Sequence, residues 1–268
     1  MDDRAIGVFD SGLGGLTAVR RLREVLPSEN IIYLGDTGRV PYGGRSRETI
    51  KQYAREDFAF LMSFDIKAIV VACGTVSTVA LPDMGDGYGI PVVGVVEPAA
   101  KKAAGLTKNG RIGLIATRAS VSSGRYEREI AKLSPDCRVF SQACPLFVPL
   151  VENGRVEPGD VVIETVAREY LAPLKEQGID TLILGCTHYP LLRSVIASIM
   201  GPEVALIDTG GETAETIASI LADSDLLAPG REGTCRCFVT DSTESFVENA
   251  DRFLGGGAIS EVTQVSLN

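Results

Sequence analysis

Short apolar runs recur along the chain, with longer amphipathic stretches between them. Runs at residues 5–9, 31–34, 68–72, 92–96, 112–116, 181–184, 204–207 and 235–239 hold few polar residues. Each predicts a strand buried on both faces, because a strand with one solvated side would alternate apolar and polar positions. Stretches 15–25, 47–62, 160–175 and 242–253 place apolar residues at helical spacing and predict amphipathic helices. Strand and helix alternate throughout, which predicts an α/β protein with mainly parallel sheets flanked by helices.

In such sheets a ligand sits beyond the carboxyl ends of the strands. Polar groups gather there: Asp10-Ser11-Gly12, Gly35-Asp36-Thr37, Cys73-Gly74-Thr75, Glu97-Pro98, residues 117–120 with Thr117 and Ser120, Cys186-Thr187-His188, and Asp208-Thr209-Gly210. Two of these segments echo one another. Ile69-Val70-Val71-Ala72-Cys73-Gly74-Thr75 and Leu182-Ile183-Leu184-Gly185-Cys186-Thr187 are each an apolar strand ending in cysteine with threonine close behind. Their wide separation suits two similar α/β units facing one another, not a short tandem repeat.

Composition narrows the ligand. Among 268 residues, 26 Lys+Arg against 35 Asp+Glu leave a net charge of −9, so the counterion release that drives nucleic-acid binding has no source here. No apolar stretch is long enough to span a bilayer, and the opening Met1-Asp2-Asp3-Arg4 lacks the basic flank and apolar run of a secretion signal. The expectation is a cytoplasmic protein acting on a small molecule, with no membrane or nucleic-acid partner. Six cysteines are too sparse for a disulfide scaffold, and the single histidine, His188, excludes paired-histidine metal sites. No metal is expected.

A thiol at the mouth of an α/β sheet, near a helix N-terminus, can act as a base or nucleophile. Buried cysteine is also a common small hydrophobe, so Cys73 and Cys186 are weighed by their neighbours. Cys186 is two residues from His188, which can take or supply its proton. Asp10, ending the first strand, and Glu152, placed in a polar turn after the apolar run 145–151, are candidate proton partners for one thiol each. Two equivalent acid/base groups suit inversion of a stereocentre, where one group removes a proton from one face and the other delivers one to the opposite face. Gly12, Gly14 and Gly15 form either a tight strand-to-helix turn or an anion cradle. Tyr42, in the turn Pro41-Tyr42-Gly43-Gly44, either covers a ligand or is a half-buried surface residue. Cys235 and Cys237 share one strand face and read as core packing; Cys137 and Cys144 are assigned no role.

Taken together, Gly7-Val8-Phe9-Asp10-Ser11-Gly12-Leu13-Gly14-Gly15, Gly35-Asp36-Thr37, Val40-Pro41-Tyr42-Gly43, Ala72-Cys73 with Thr75, the run from Cys144 to Glu152, and Leu184-Gly185-Cys186-Thr187-His188-Tyr189-Pro190 closely resemble the bacterial glutamate racemases, of the aspartate/glutamate racemase family. The resemblance spans nearly the whole chain in the family's order. It implies a cofactor-independent racemase supplying D-glutamate for peptidoglycan, with Cys73 and Cys186 as the two bases and Asp10, Glu152 and His188 beside them. It implies substrate contacts at Asp10, Ser11, Pro41, Tyr42, Gly43, Gly74, Thr75, Thr117, Ser120, Thr187 and His188. It also implies two similar α/β domains with the site in their cleft, residues 1–97 plus 208–268 and residues 98–207, and a homodimer. Gly74 departs from the family's usual Asn, and Ser120 stands where Thr is favoured. The alternatives are a related aspartate-type racemase or a catalytically silent binding or inhibitor protein, for which two intact thiols have no use.

Overall fold

The computed structural model describes residues 2–84, 87–256, 259 and 261–267. Two parallel sheets organise them. One contains β1 (Ala5–Asp10), β2 (Ile31–Gly35), β3 (Ile66–Val71), β4 (Val92–Gly94), β9 (Cys235–Val239) and β10 (Glu261–Gln264), in the order β10-β9-β2-β1-β3-β4. The other contains β5 (Arg111–Ala116), β6 (Arg138–Ala143), β7 (Thr181–Leu184) and β8 (Ala205–Asp208), in the order β6-β5-β7-β8. The series β2-β1-β3-β4 and β6-β5-β7-β8 have the same topology, so the chain builds one arrangement twice and then extends the first at its β2 edge. The cysteine echo in the sequence is the trace of this repetition.

The helices explain the unbroken apolar runs. In β1, Ile6 and Val8 point into a core shared with α1 (Leu16–Val25), α10 (Thr209–Asp223) and α11 (Thr243–Leu254), while Ala5 and Phe9 point into one shared with α2 (Arg47–Leu61) and α3 (Gly74–Val79). Side chains alternate across a strand, so both of its faces must be apolar when helices cover both. The second sheet is treated alike. Ile112 and Leu114 meet α4 (Val96–Leu106) and α6 (Arg125–Leu133), and Ile115 belongs with α8 (Val161–Glu176) and α9 (Arg193–Met200). Two short helices, α5 (Arg118–Ser123) and α7 (Phe147–Glu152), follow β5 and β6.

Three expectations are corrected. The strand expected over 92–96 ends at Gly94, and Val96 begins α4; Pro98 sits in the first turn, where the missing N–H has no intrahelical partner to lose. The run 145–151 with Glu152 is not a polar turn but leads into α7, which places Glu152 on its last residue. Strands β6 and β10 are absent from the predicted set. Both are edge strands, half exposed and carrying Arg138, Ser141 and Gln142 or Glu261 and Gln264, so neither presents an apolar run.

In each sheet the chain leaves the first strand of the repeat to one side and returns on the other. The reversal falls between β1 and β3, and between β5 and β7, and a crevice opens at such points beyond the strand ends. Cys73 lies two residues past β3 and Cys186 two residues past β7. Topology therefore delivers one thiol to each crevice.

Candidate active site

A cavity of about 490 Å³ joins the two crevices, and both Cys73 and Cys186 line it. Ser11, Pro41, Tyr42, Gly43, Gly74, Thr75, Thr117, Glu152, Thr187 and His188 line it too. Asp10 and Ser120 are buried behind this wall. Asp10 accepts a hydrogen bond from the Gly12 N–H at 3.0 Å and faces the Thr187 hydroxyl at 3.5 Å. Ser120 accepts from Thr117 Oγ1 at 3.0 Å, and Thr117 Oγ1 lies 3.1 Å from Thr75 Oγ1. These hydroxyls form a chain across the cleft from α3 to α5.

The two thiols have different surroundings. Cys73 caps α3 and its Sγ donates to Ser11 Oγ at 3.3 Å. Burial pushes this thiol up to about 12, and the charge of Asp10 adds to the rise, so Cys73 holds its proton at neutral pH. Asp10 is itself raised by burial, against the charge of His188 and the N–H groups of Gly15, Gly12 and Ser11.

Cys186 Sγ lies 4.0 Å from His188 Nδ1, and His188 Nε2 lies 2.9 Å from Glu152 Oε1. Burial alone would lower the His188 pKa. Hydrogen bonds to Cys186 and Glu152, with their charges, outweigh burial and hold the imidazole at about 10. His188 is therefore a cation at neutral pH. Cys73 is the N-cap residue of α3, whereas Cys186 precedes a 3-10 turn, Tyr189–Leu192, that runs into α9.

Glycines serve as close-approach points between the units. A Cβ on Gly14 would lie 2.2 Å from Thr187 Oγ1 and 2.5 Å from His188 Nδ1, while within the first unit one on Gly15 would lie 2.4 Å from the Asp10 Cβ. The glycine loop thus presses against Thr187 and His188, and of its glycines Gly12 reaches the cavity. Thr17 Oγ1, at the start of α1, donates to the Thr187 carbonyl at 2.9 Å and ties the same contact. Gly74 has an equivalent reason. A Cβ there would lie 2.5 Å from the Gly185 carbonyl oxygen, so this arrangement closes the position to a side chain.

Tyr42 is fully buried, its hydroxyl taken by Asp36 and Asp57, and it forms part of the wall with no freedom to swing over a ligand. Cys235 and Cys237 pack in the core 4.0 Å apart, away from the cavity. Cys144, assigned no role from sequence, lines the cavity with Arg118, Val148 and Pro149. Its signal was hidden because β6, the strand that delivers it, is half exposed and polar. Among the described residues no group of three or more His, Cys, Asp or Glu is arranged to hold a metal ion, and no helix is long and apolar enough to cross a membrane.

The sequence model of the Asp/Glu/Hydantoin racemase family matches residues 16–217. A protein named glutamate racemase from Geobacter metallireducens is 48% identical over 98% of this chain and 97% of its own length. Among solved structures, the glutamate racemase isoform RacE1 of Bacillus anthracis superposes with a TM-score of 0.95 at 40% identity, covering 100% of this chain and 99% of its own. A glutamate racemase from Francisella tularensis, solved in complex with D-glutamate, superposes with a TM-score of 0.92 at 38% identity, again covering 100% and 99%. The repeated sheet topology, the paired thiols and these matches lead to one conclusion: the chain belongs to the Asp/Glu/Hydantoin racemase family.

Proposed function

We propose that this chain interconverts L- and D-glutamate by proton transfer at the α-carbon, with Cys73 and Cys186 as the acid/base pair and no cofactor. The observation that carries this reading is that two thiols, brought to equivalent strand ends by a repeated topology, line one cavity with unlike proton partners. In one direction Cys186 removes the α-proton while Cys73, protonated at rest, delivers its own proton to the opposite face. The reverse direction exchanges the roles. His188, held cationic by Cys186 and Glu152 together, balances charge beside Cys186, and Asp10 sits behind Cys73.

The α-proton of an amino acid is weakly acidic, so the carbanion must be stabilised by donors already in place. Ser11, Thr75, Thr187 and nearby backbone N–H groups supply them around the substrate carboxylate. Substrate contacts fall on Ser11, Pro41, Tyr42, Gly43, Gly74, Thr75, Thr117, Thr187 and His188, with Asp10 and Ser120 acting through their hydrogen bonds. That the relatives are named glutamate racemase supports glutamate, not aspartate, as the substrate of this chain.

The two sheets support a division into domains 1–97 plus 208–268 and 98–207, with crossings at the start of α4 and at the β8–α10 junction. Closure of these domains would exclude water from the thiols. The reading places the enzyme in the cytoplasm, supplying D-glutamate to peptidoglycan synthesis, as a homodimer whose mass sedimentation equilibrium would measure. The decisive experiment incubates pure L-glutamate with enzyme in D₂O. Optical rotation should decay while deuterium enters at the α-carbon. Decay without deuterium, or an inert mixture, refutes the proton-transfer reading.

A further inference from the structure

The loop between β2 and α2 forms one wall of the cavity through Val40, Pro41, Tyr42, Gly43 and Gly44. What fixes that wall lies behind it. The Tyr42 hydroxyl sits between two fully buried carboxyl groups, in contact with Asp36 Oδ2 and 3.0 Å from Asp57 Oδ2. Arg39 closes the group: Nε donates to Asp36 Oδ2 at 2.5 Å, Nη2 to Asp57 Oδ1 at 3.3 Å, and Nη1 bonds Glu56. Its guanidinium lies over the Tyr53 ring, 4.1 Å from the centroid. The remaining oxygen of Asp36 accepts from Thr240 Oγ1 at 2.7 Å.

Counting hydrogens shows that this arrangement is one proton short when both aspartates are ionised. A phenol has one O–H, yet two carboxyl oxygens lie within hydrogen-bond reach of the Tyr42 oxygen. If the phenol donates to Asp36, its contact with Asp57 Oδ2 needs a hydrogen carried by Asp57. Charge counting agrees. Asp36 and Asp57, both fully buried, and the part-exposed Glu56 share a single guanidinium, so ionising both aspartates would leave a buried negative charge uncompensated, which is costly. We propose that Asp57 is a neutral carboxylic acid whose Oδ2–H donates to the Tyr42 oxygen, making it a positioning residue that fixes the Pro41–Gly43 wall of the substrate cavity.

The surroundings favour the neutral form. Burial raises Asp57 well above the ordinary carboxylate range, the charge of Asp36 adds to this, and Arg39 opposes it. The groups facing Asp57 are Asp36 from the end of β2, Arg39 and Tyr42 from the loop, and Glu56 on its own helix. Burial also pushes the Tyr42 phenol far up, with both aspartates adding to the rise, so Tyr42 keeps its hydrogen for Asp36. The wall matters because it meets the other unit: a Cβ on Gly43 would lie 2.9 Å from the Thr117 Cβ. A loop displaced by a fraction of an ångström alters both the cavity and the contact that closes it.

The inference rests on the glutamate reading where it concerns substrate affinity, but its first test needs no substrate. Infrared spectra of the resting protein in H₂O and D₂O should contain the carbonyl band of a buried protonated carboxyl group that is absent from Asp57→Asn. An amide keeps a donor at the same place, so Asp57→Asn should hold KM within roughly twofold of the parent. Asp57→Leu, with the same branching but unable to donate, should raise KM roughly tenfold with a smaller change in kcat, the pattern of lost binding without lost chemistry. Absence of the band, or an Asp57→Asn variant as impaired as Asp57→Leu, overturns the proposal. If Asp57→Leu fails to fold, the infrared comparison and Asp57→Asn decide. A chain that turns over no glutamate but shows the band would refute the substrate reading and leave the neutral acid standing.

Discussion

Replacing Glu152 with Gln removes a negative charge 2.9 Å from His188 Nε2 while keeping the side chain's shape. The structure holds this imidazole at about 10 against an ordinary value of 6.5. Two unit charges near 4 Å interact by about 4 kcal/mol at an effective dielectric of 20. The Glu152 side chain is 39% exposed, so water screens much of that, and about 1–2 kcal/mol is the appropriate size. At 1.36 kcal/mol per unit, Glu152→Gln should lower the His188 pKa by about one unit.

The chain has one histidine, so the untagged protein gives a single set of imidazole carbon-bound proton resonances and the titration needs no assignment. The parent should titrate near 10 and the variant about one unit lower. Stability follows with a definite sign. A histidine raised on folding contributes stability that is complete below pH 6.5 and disappears as pH rises through about 10. In Glu152→Gln that contribution is smaller and is lost at lower pH. A parent imidazole titrating near its ordinary value, or one indifferent to Glu152→Gln, would refute the charge-pair reasoning.

Three further outcomes follow from named contacts. Cys73→Ser and Cys186→Ser should each reduce racemisation by at least about 10²-fold, whereas Cys144→Ser, at the cavity wall without either thiol's partners, should stay near the parent rate; steady-state polarimetry compares them. Gly14→Ala should lower kcat/KM about 10²-fold by displacing Thr187 and His188, with an unchanged circular dichroism spectrum. Lys67 is fully buried, paired with Glu29 at 2.6 Å, and donates to the carbonyls of Asp2 and Leu226. Lys67→Met leaves Glu29 buried and unpaired, so urea unfolding should show a loss of about 3–5 kcal/mol while the folded fraction keeps its specific activity.

Local pattern was sufficient for most of the architecture. Strands covered by helices on both faces must be apolar at successive positions, which made β1, β2, β3, β5 and β7 visible as near-continuous runs, and β9 visible despite the exposed Arg236. The cavity's reactive side chains were legible for a related reason: parallel topology forces ligands to strand ends, so Ser11, Cys73 and Cys186, which line one cavity, stood out by position. Edge strands β6 and β10 escaped because solvent on one side permits polar residues, and Cys144 escaped with β6.

What the chain could not reveal locally was which distant groups meet. The apposition of Gly14 with His188, the thiol of Cys73 with Ser11, and the phenol of Tyr42 with Asp36 and Asp57 depend on how helices and sheets pack. Those contacts set the charge states: burial and neighbouring charge decide whether a thiol, an imidazole or a carboxyl group holds its proton, and neither quantity exists until the chain has folded. The sequence by itself determined the elements and the inventory of reactive groups, because hydrophobic period and strand-end position are properties of adjacent residues. Only the tertiary structure decided their protonation and partnership, because dielectric environment and charge separation are properties of space.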